Sequence, residues 1–267
     1  MKKILAFSIL LGLLVTASPV GAVVNVNKVS LPATAVEVAP NVFSLGVATD
    51  PTTGRQVEGY AIIHRREPAA RGGNAINGRS GRTACYGFLA DGAKWKGLES
   101  WLVNATNVDG LSDSTVFDTV NNGVTKWETA SGRNILGVGS STSAILEVDN
   151  VAPDGNNELY FGAIADSGVI GVTTVWGYFS GRPASRELLE WDMVLNDVDY
   201  AWSASGEANK MDLDNIVTHE LGHAVGLGDL YDSTCAEETM YGYATYGETK
   251  KQTLNAGDIA GISKLYK

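Results

Sequence analysis

Residues 219–229 read His-Glu-Leu-Gly-His-Ala-Val-Gly-Leu-Gly-Asp, and the spacing inside this stretch governs how the rest of the chain is understood. Upstream, Asp212 suits an N-cap, the residues to Val225 read as a helix, and Gly226 suits its stop. Residues four apart share a helix face, so His219 and His223 project together and can bind one Zn2+ at about 2.0–2.1 Å. Glu220 points slightly aside, where its carboxylate can reach a water at the metal, the position of a general base.

A catalytic zinc takes three protein ligands and keeps one open position. The chain has only 3 His, and His64 lies far upstream. Asp229 is the better third ligand, because a left-handed Gly226 lets the chain turn back toward the histidine pair. A distant carboxylate, Glu238 or Glu248, is the alternative third ligand. An exposed charged helix face would explain the same residues without any ion.

The wider composition fits a globular protein: 267 residues, 44% hydrophobic and 19% charged, with 31 Gly and 7 Pro that follow no period. A net charge of −10 argues against nucleic acid as a main partner, since phosphate binding needs a basic face.

Lys2 and Lys3 precede an apolar run, Ile4 to Val15, and then the small residues ending at Ala22. Residues 1–22 therefore read as a secretory signal peptide whose apolar run is too short to span a bilayer, and the mature protein is expected to be secreted and extracellular, without a transmembrane segment. Residues 23–82 carry seven Lys and Arg against four Asp and Glu, whereas residues 83–267 carry eleven against twenty-six. This asymmetry predicts an N-terminal extension or pro-segment over 23–84, with a β-hairpin and a basic linker, ahead of a catalytic domain over 85–267. The hairpin is read from VFSLGVA and VEGYAIIH, joined by Asp50-Pro51-Thr52-Thr53-Gly54. The stretch 65–82, rich in Arg, Gly and Asn, reads as an exposed linker.

In the body, short strands are expected at Leu98–Val103, Ile135–Val138, Ala144–Val148, Val169–Phe179 and Leu188–Leu195. Val116, Val120, Val124 and Trp127 lie at helical spacing within Ser112–Glu128, and Ile259, Ile262 and Leu265 mark a last helix around Asn255–Tyr266. Together these predict an α+β fold with a twisted mixed β-sheet, an active-site helix and a C-terminal helix.

The stretch 219–229 resembles the extended motif of the metzincin clan of zinc metalloproteases, HExxHxxGxx followed by His or Asp, in its Asp form. Thr239-Met240-Tyr241 resembles the clan's Met-containing turn, with Met240 as the turn residue. Trp191–Asn196 and Asp258–Ile262 with Leu265-Tyr266 resemble the strand before the active-site helix and the closing helix of matrixins. The resemblance covers about Cys85 to the end and implies a zinc-dependent endopeptidase acting on extended peptides or unfolded protein. It further implies that Tyr243 contacts the metal or a developing oxyanion, an ordinary half-buried Tyr being the alternative. It also implies that substrate lies along Val169–Phe179 as on an exposed sheet edge, unless that strand is already paired on both sides. No Pro-Arg-Cys-Gly inhibitory peptide is present, and the leader matches no family pattern.

Cys85 and Cys235, the only thiols, suit one disulfide in an exported protein; the alternative is Cys85 as a latency switch on the zinc. Asp149, Asp154, Asn156 and Glu158 bunch oxygen ligands around Gly155, which suits Ca2+ or a plain polar turn. Asn104-Ala105-Thr106 is a glycosylation sequon. The function expected is a secreted zinc endopeptidase with Glu220 as base. The alternative is an exported, non-catalytic metal-binding or adhesion protein on the same fold.

Overall fold

The computed structural model describes residues 28–67 and 84–267, so the expected signal peptide and most of the Arg-rich linker lie outside the described residues. One mixed sheet holds β1 (Val36–Ala39), β2 (Val42–Thr49), β3 (Gln56–Arg66), β5 (Trp101–Asn104), β6 (Gly139–Ser141), β7 (Asn157–Gly162), β8 (Val169–Tyr178), β9 (Glu187–Asn196) and β13 (Tyr243–Ala244). Their order is β1-β2-β3-β8-β9-β7-β5-β6, with β13 pairing β3. Two short pairs stand apart: β4 (Gly87–Phe88) with β12 (Leu227–Gly228), and β10 (Trp202–Ser203) with β11 (Met211–Asp212). The helices are α1 (Asp113–Ser131), α2 (Leu213–Ala224) and α3 (Ala256–Leu265). This is the expected α+β class.

Each helix starts where local chemistry supplies a cap. The Ser112 side chain accepts from Thr115 N, Asp212 accepts from Asn215 N, and Asn255 with Asp258 forms a capping box. The apolar stripe Val116, Val120, Val124 and Trp127 is buried, as its spacing predicts. α1 and α2 come close because Gly123 lacks a Cβ, which would lie 2.6 Å from Leu221 Cδ1. The Trp127 indole N–H donates to Thr218 O at 2.9 Å.

Alternation along the strands divides the sheet into two faces. On β3, Ile62 joins the large helix-side core with Val175, Met193 and Leu195, while Ala61 and Ile63 join a second cluster with Val172, Trp176 and Val194. His64 has the parity of Ile62 and so faces the helices.

The hairpin expected around residues 50–54 is present as β2 and β3. Two expected strands are not. In 135–138 the Ile135 and Leu136 N–H groups donate to Glu128 Oε1 at 2.8 and 3.0 Å, which removes them from a ladder, and the strand begins only at Gly139. In 144–148 the N–H groups of Glu147 and Val148 donate to the side chains of Glu158 and Tyr160. The fully buried strand β7 lacks the alternation that marks a strand and was not expected.

Candidate metal centre

All of α2 except Asp214 is buried, so its histidines face protein rather than water. His219 Nδ1 lies 2.7 Å from Thr239 O and His223 Nδ1 lies 3.0 Å from Leu227 O. A carbonyl only accepts, so each Nδ1 carries the proton and each Nε2 presents a lone pair. Gly226, with φ 102°, ends the helix and returns the chain to Asp229. Asp229 Oδ1 then stands 3.3 Å from His219 Nε2 and 3.5 Å from His223 Nε2.

None of these three buried atoms has a hydrogen-bond partner. Three ligand atoms within 4.8 Å of one another, all desolvated and unpaired, form a donor set that fits a divalent cation. Burial drives the His219 pKa down to about 3. Burial would raise Asp229, but His223 and His219 outweigh it and hold the carboxyl well below its usual range.

The surroundings fix these ligands. The Tyr231 hydroxyl donates to Asp229 Oδ2 at 2.9 Å and accepts from Asn41 Nδ2 at 2.8 Å. Met240 packs beneath α2, where a Cβ on Gly222 would come 2.2 Å from its Sδ. Thr239 N and Met240 N donate to Asp258 at 2.7 and 3.1 Å, so α3 holds the turn that in turn orients His219.

Glu220 is fully buried beside this set. Thr173 Oγ1 donates to its Oε2 at 2.6 Å, and Gly171 leaves room for it, since a Cβ there would lie 3.3 Å from Oε1. On the other side, His64 Nδ1 lies 2.9 Å from Oε1, with the His64 ring stacked on His219 at 3.9 Å. His64 Nε2 in turn meets Lys251 Nζ at 3.3 Å. An ammonium only donates, so Nε2 accepts and Nδ1–H donates to Glu220. Burial, reinforced by Lys251, holds the His64 pKa well below the usual histidine value.

Sequence reasoning placed His64 outside the site; the fold brings it in. Tyr231 and Lys251 were missed as well. The alternation of His64 with Ile62 was a usable signal, whereas nothing local marks the other two. Of the alternative ligands, Glu238 accepts from Gly257 N and Asp258 N at the start of α3, and Glu248 accepts from Asn215 Nδ2.

The expected open edge along Val169–Phe179 is corrected by the pairing: β8 is internal, bonded to β9 on one side and to β3 on the other. An unpaired strand edge exposes obligatory backbone donors and acceptors, and here residues 58–65 satisfy them. Tyr243 lies in β13 against Arg65, its ring edge-on to Tyr231 at 5.3 Å. Cys85 and Cys235 form a disulfide, so Cys85 is not a free thiol on the metal.

A second acidic group lies away from the histidines. Asp149, Asp154 and Glu190 converge, whereas Asn156 donates to Asp154 and Glu158 accepts from Glu147 N. Glu190 Oε1 and Asp149 Oδ2 are buried without partners. Burial first, then neighbouring carboxylates, pushes Asp149 up to about 6 and Glu190 to about 8.

A matrixin family model matches residues 186–267. The chain is 27% identical over 186 residues to metalloendoproteinase 1-MMP of Arabidopsis thaliana, covering 69% of this chain and 47% of that protein. It is 38% identical over 76 residues to metalloendoproteinase 1 of Glycine max, covering 26% of this chain and 24% of the relative. Metalloendoproteinase 2-MMP of Arabidopsis thaliana is 35% identical over 77 residues, covering 26% and 19%. Each match spans less than half of the relative's length. Over residues 186–267 the chain is thus similar to matrixins, and beyond that segment its likeness is to the plant metalloendoproteinases at 27% identity.

Proposed function

We propose that this chain is a secreted zinc-dependent endopeptidase whose metal is held by His219, His223 and Asp229. The observation that carries the reading is the set of three buried, unpartnered donor atoms with Glu220 beside them. Bound zinc supplies Lewis acidity, which acidifies water and polarises a scissile carbonyl. Glu220 takes the proton of the attacking water and returns it to the leaving amine, with Thr173 fixing the carboxylate. Met240, packed under Gly222, is assigned the turn below the histidines, and Tyr243 the stabilisation of the developing oxyanion. The disulfide suits an oxidising compartment, which supports removal of residues 1–22 on export.

Glu220→Gln tests the reading: in a chain whose β3 has been unseated by Ile62→Asp, the variant is expected to keep one zinc per chain by mass spectrometry while casein hydrolysis falls at least a hundredfold. Unchanged hydrolysis would refute it.

Residues 23–84 act in this reading as an inhibitory pro-segment, because β3 fills the strand edge that an extended substrate needs. Ile62→Asp, at a fully buried position of β3, is expected to unseat that strand and raise casein hydrolysis by the full chain. A purely structural β3 predicts the opposite sign. The filled edge also favours the second reading, a non-catalytic metal-binding protein, which a zinc-loaded Ile62→Asp chain inert toward every unfolded protein would establish. Asp149, Asp154 and Glu190 support a separate Ca2+ site, since three carboxylates in partial burial lack a counter-charge.

A further inference from the structure

We propose that Lys251 is the specificity-determining residue of this site, selecting a substrate side chain that carries a hydrogen-bond acceptor. The inference rests on the endopeptidase reading and names what that site prefers.

β3 runs antiparallel to β8 and parallel to β13, held between them, with His64 opposite Gly171 and Arg65 opposite both Val169 and Tyr243. An extended peptide bound between the same two strands has to satisfy the same backbone groups, so β3 shows where its residues stand. The side chain that β3 sends into the protein beside Glu220 is His64, wholly buried. The position His64 fills is therefore a side-chain pocket of the substrate track.

Lys251 forms the end of that pocket and is itself fully buried. Its backbone is fixed by Lys251 N donating to Asn215 Oδ1 at 2.8 Å. Its ammonium donates to Tyr241 O and to Tyr243 O, the latter at 2.8 Å. An ammonium has three protons, and the third goes to His64 Nε2 at 3.3 Å. Among the described residues, no carboxylate pairs with Lys251 within 4.0 Å. When another peptide occupies the track, the third proton needs a new acceptor or remains buried and unpaired. Leu, Met and Phe offer none. Glu, Gln, Asp, Asn and His do, and an acidic side chain also adds a carboxylate in direct contact with the ammonium. A site built to hydrogen-bond its substrate discriminates far more strongly than one that measures apolar volume.

Two measurements test this. The zinc-loaded Ile62→Asp chain, in which β3 is expected to leave the track, is incubated with a denatured proteome digest and the cut sites are mapped by mass spectrometry. One position next to the scissile bond is expected to favour Glu, Gln, Asp, Asn or His at least tenfold over Leu, Met or Phe. Lys251→Met should reverse that preference toward Leu and Met at unchanged zinc content; a profile that Lys251→Met leaves unaltered overturns the proposal. The second measurement needs no activity. His64→Leu and His64→Gln are compared by thermal melting in the wild-type and Lys251→Met backgrounds. His64→Leu is expected to lower Tm more than His64→Gln, and Lys251→Met to abolish the difference. Equal losses in both backgrounds overturn the proposal. Absence of all cleavage together with the expected melting pattern would count against the endopeptidase reading alone.

Discussion

His64 Nδ1 donates to Glu220 Oε1 across 2.9 Å, joining residues 156 positions apart in the chain. With Lys251 donating to the other ring nitrogen, a hydrogen-bonded line runs from the segment after β13, through β3, to the active-site helix. Every member of the line is buried, so each contact acts in a medium where an unmade hydrogen bond is expensive. Strand β3 is thereby fastened to Glu220, the residue proposed as base.

Asp229 and Tyr231 make a prediction about the metal. Tyr231→Phe removes the hydroxyl that holds Asp229 Oδ2 and is expected to weaken zinc binding about 10–100-fold with the fold intact. Asp229→Ala should lose the ion at comparable chelator concentration. Competition with a fluorescent chelator measures both, and undiminished affinity in Asp229→Ala would remove that residue from the ligand set.

Gly222 and Met240 make a prediction about packing. A methyl group on Gly222 would stand 2.2 Å from Met240 Sδ and 2.9 Å from the Trp127 ring. Gly222→Ala is expected to destabilise by about 1–3 kcal/mol through overpacking, read as a lower urea midpoint. Because Thr239 O orients His219, zinc affinity should fall along with stability.

Glu190 makes a prediction about pH. Its pKa is raised to about 8 in the fold, from 4.5 unperturbed, by burial and then by the neighbouring carboxylates. The folded state therefore keeps a proton that the unfolded chain has released, and stability falls as pH rises from about 4.5 to 8. The loss is at most about 5 kcal/mol, shared with Asp149. Glu190→Gln should flatten this part of the Tm–pH curve, and millimolar Ca2+ should raise Tm at pH 8 more than at pH 5 in the wild type only.

Cys85 and Cys235 close a loop of 150 residues. Loop-closure entropy assigns such a cross-link about 5 kcal/mol at 25 °C. Dithiothreitol, or Cys85→Ser with Cys235→Ser, should lower the denaturation midpoint accordingly. Gly257, whose Cβ would lie 2.0 Å from Cys85 O, ties the same region to α3, so loosening should spread to the Met240 turn.

Much of the helical part was legible in the sequence. Ser112, Asp212 and Gly226 act within a few residues of the segments they bound, and the stripe on α1 repeats at the helical period. The hairpin of β2 and β3 was equally local. β7 was not, because a strand buried on both faces shows no alternation. The strands expected at 135–138 and 144–148 failed because side-chain oxygens of Glu128, Glu158 and Tyr160 took backbone donors that a ladder would have used.

The sequence by itself determined the active-site helix and the histidine pair on one face, because helical geometry ties residues three and four apart. It also determined the glycine that returns the chain toward Asp229, whereas the structure decided between a disulfide and a free Cys85. Tertiary structure alone decided that β8 has a neighbour on both sides, that His64 covers Glu220, that Tyr231 steadies Asp229 and that Glu190 rather than Glu158 completes the second acidic group. The physical reason is that backbone pairing is nearly blind to side-chain identity. Which strand fills an edge, and which distant side chains it delivers to a site, is settled only when all faces of the sheet are buried together.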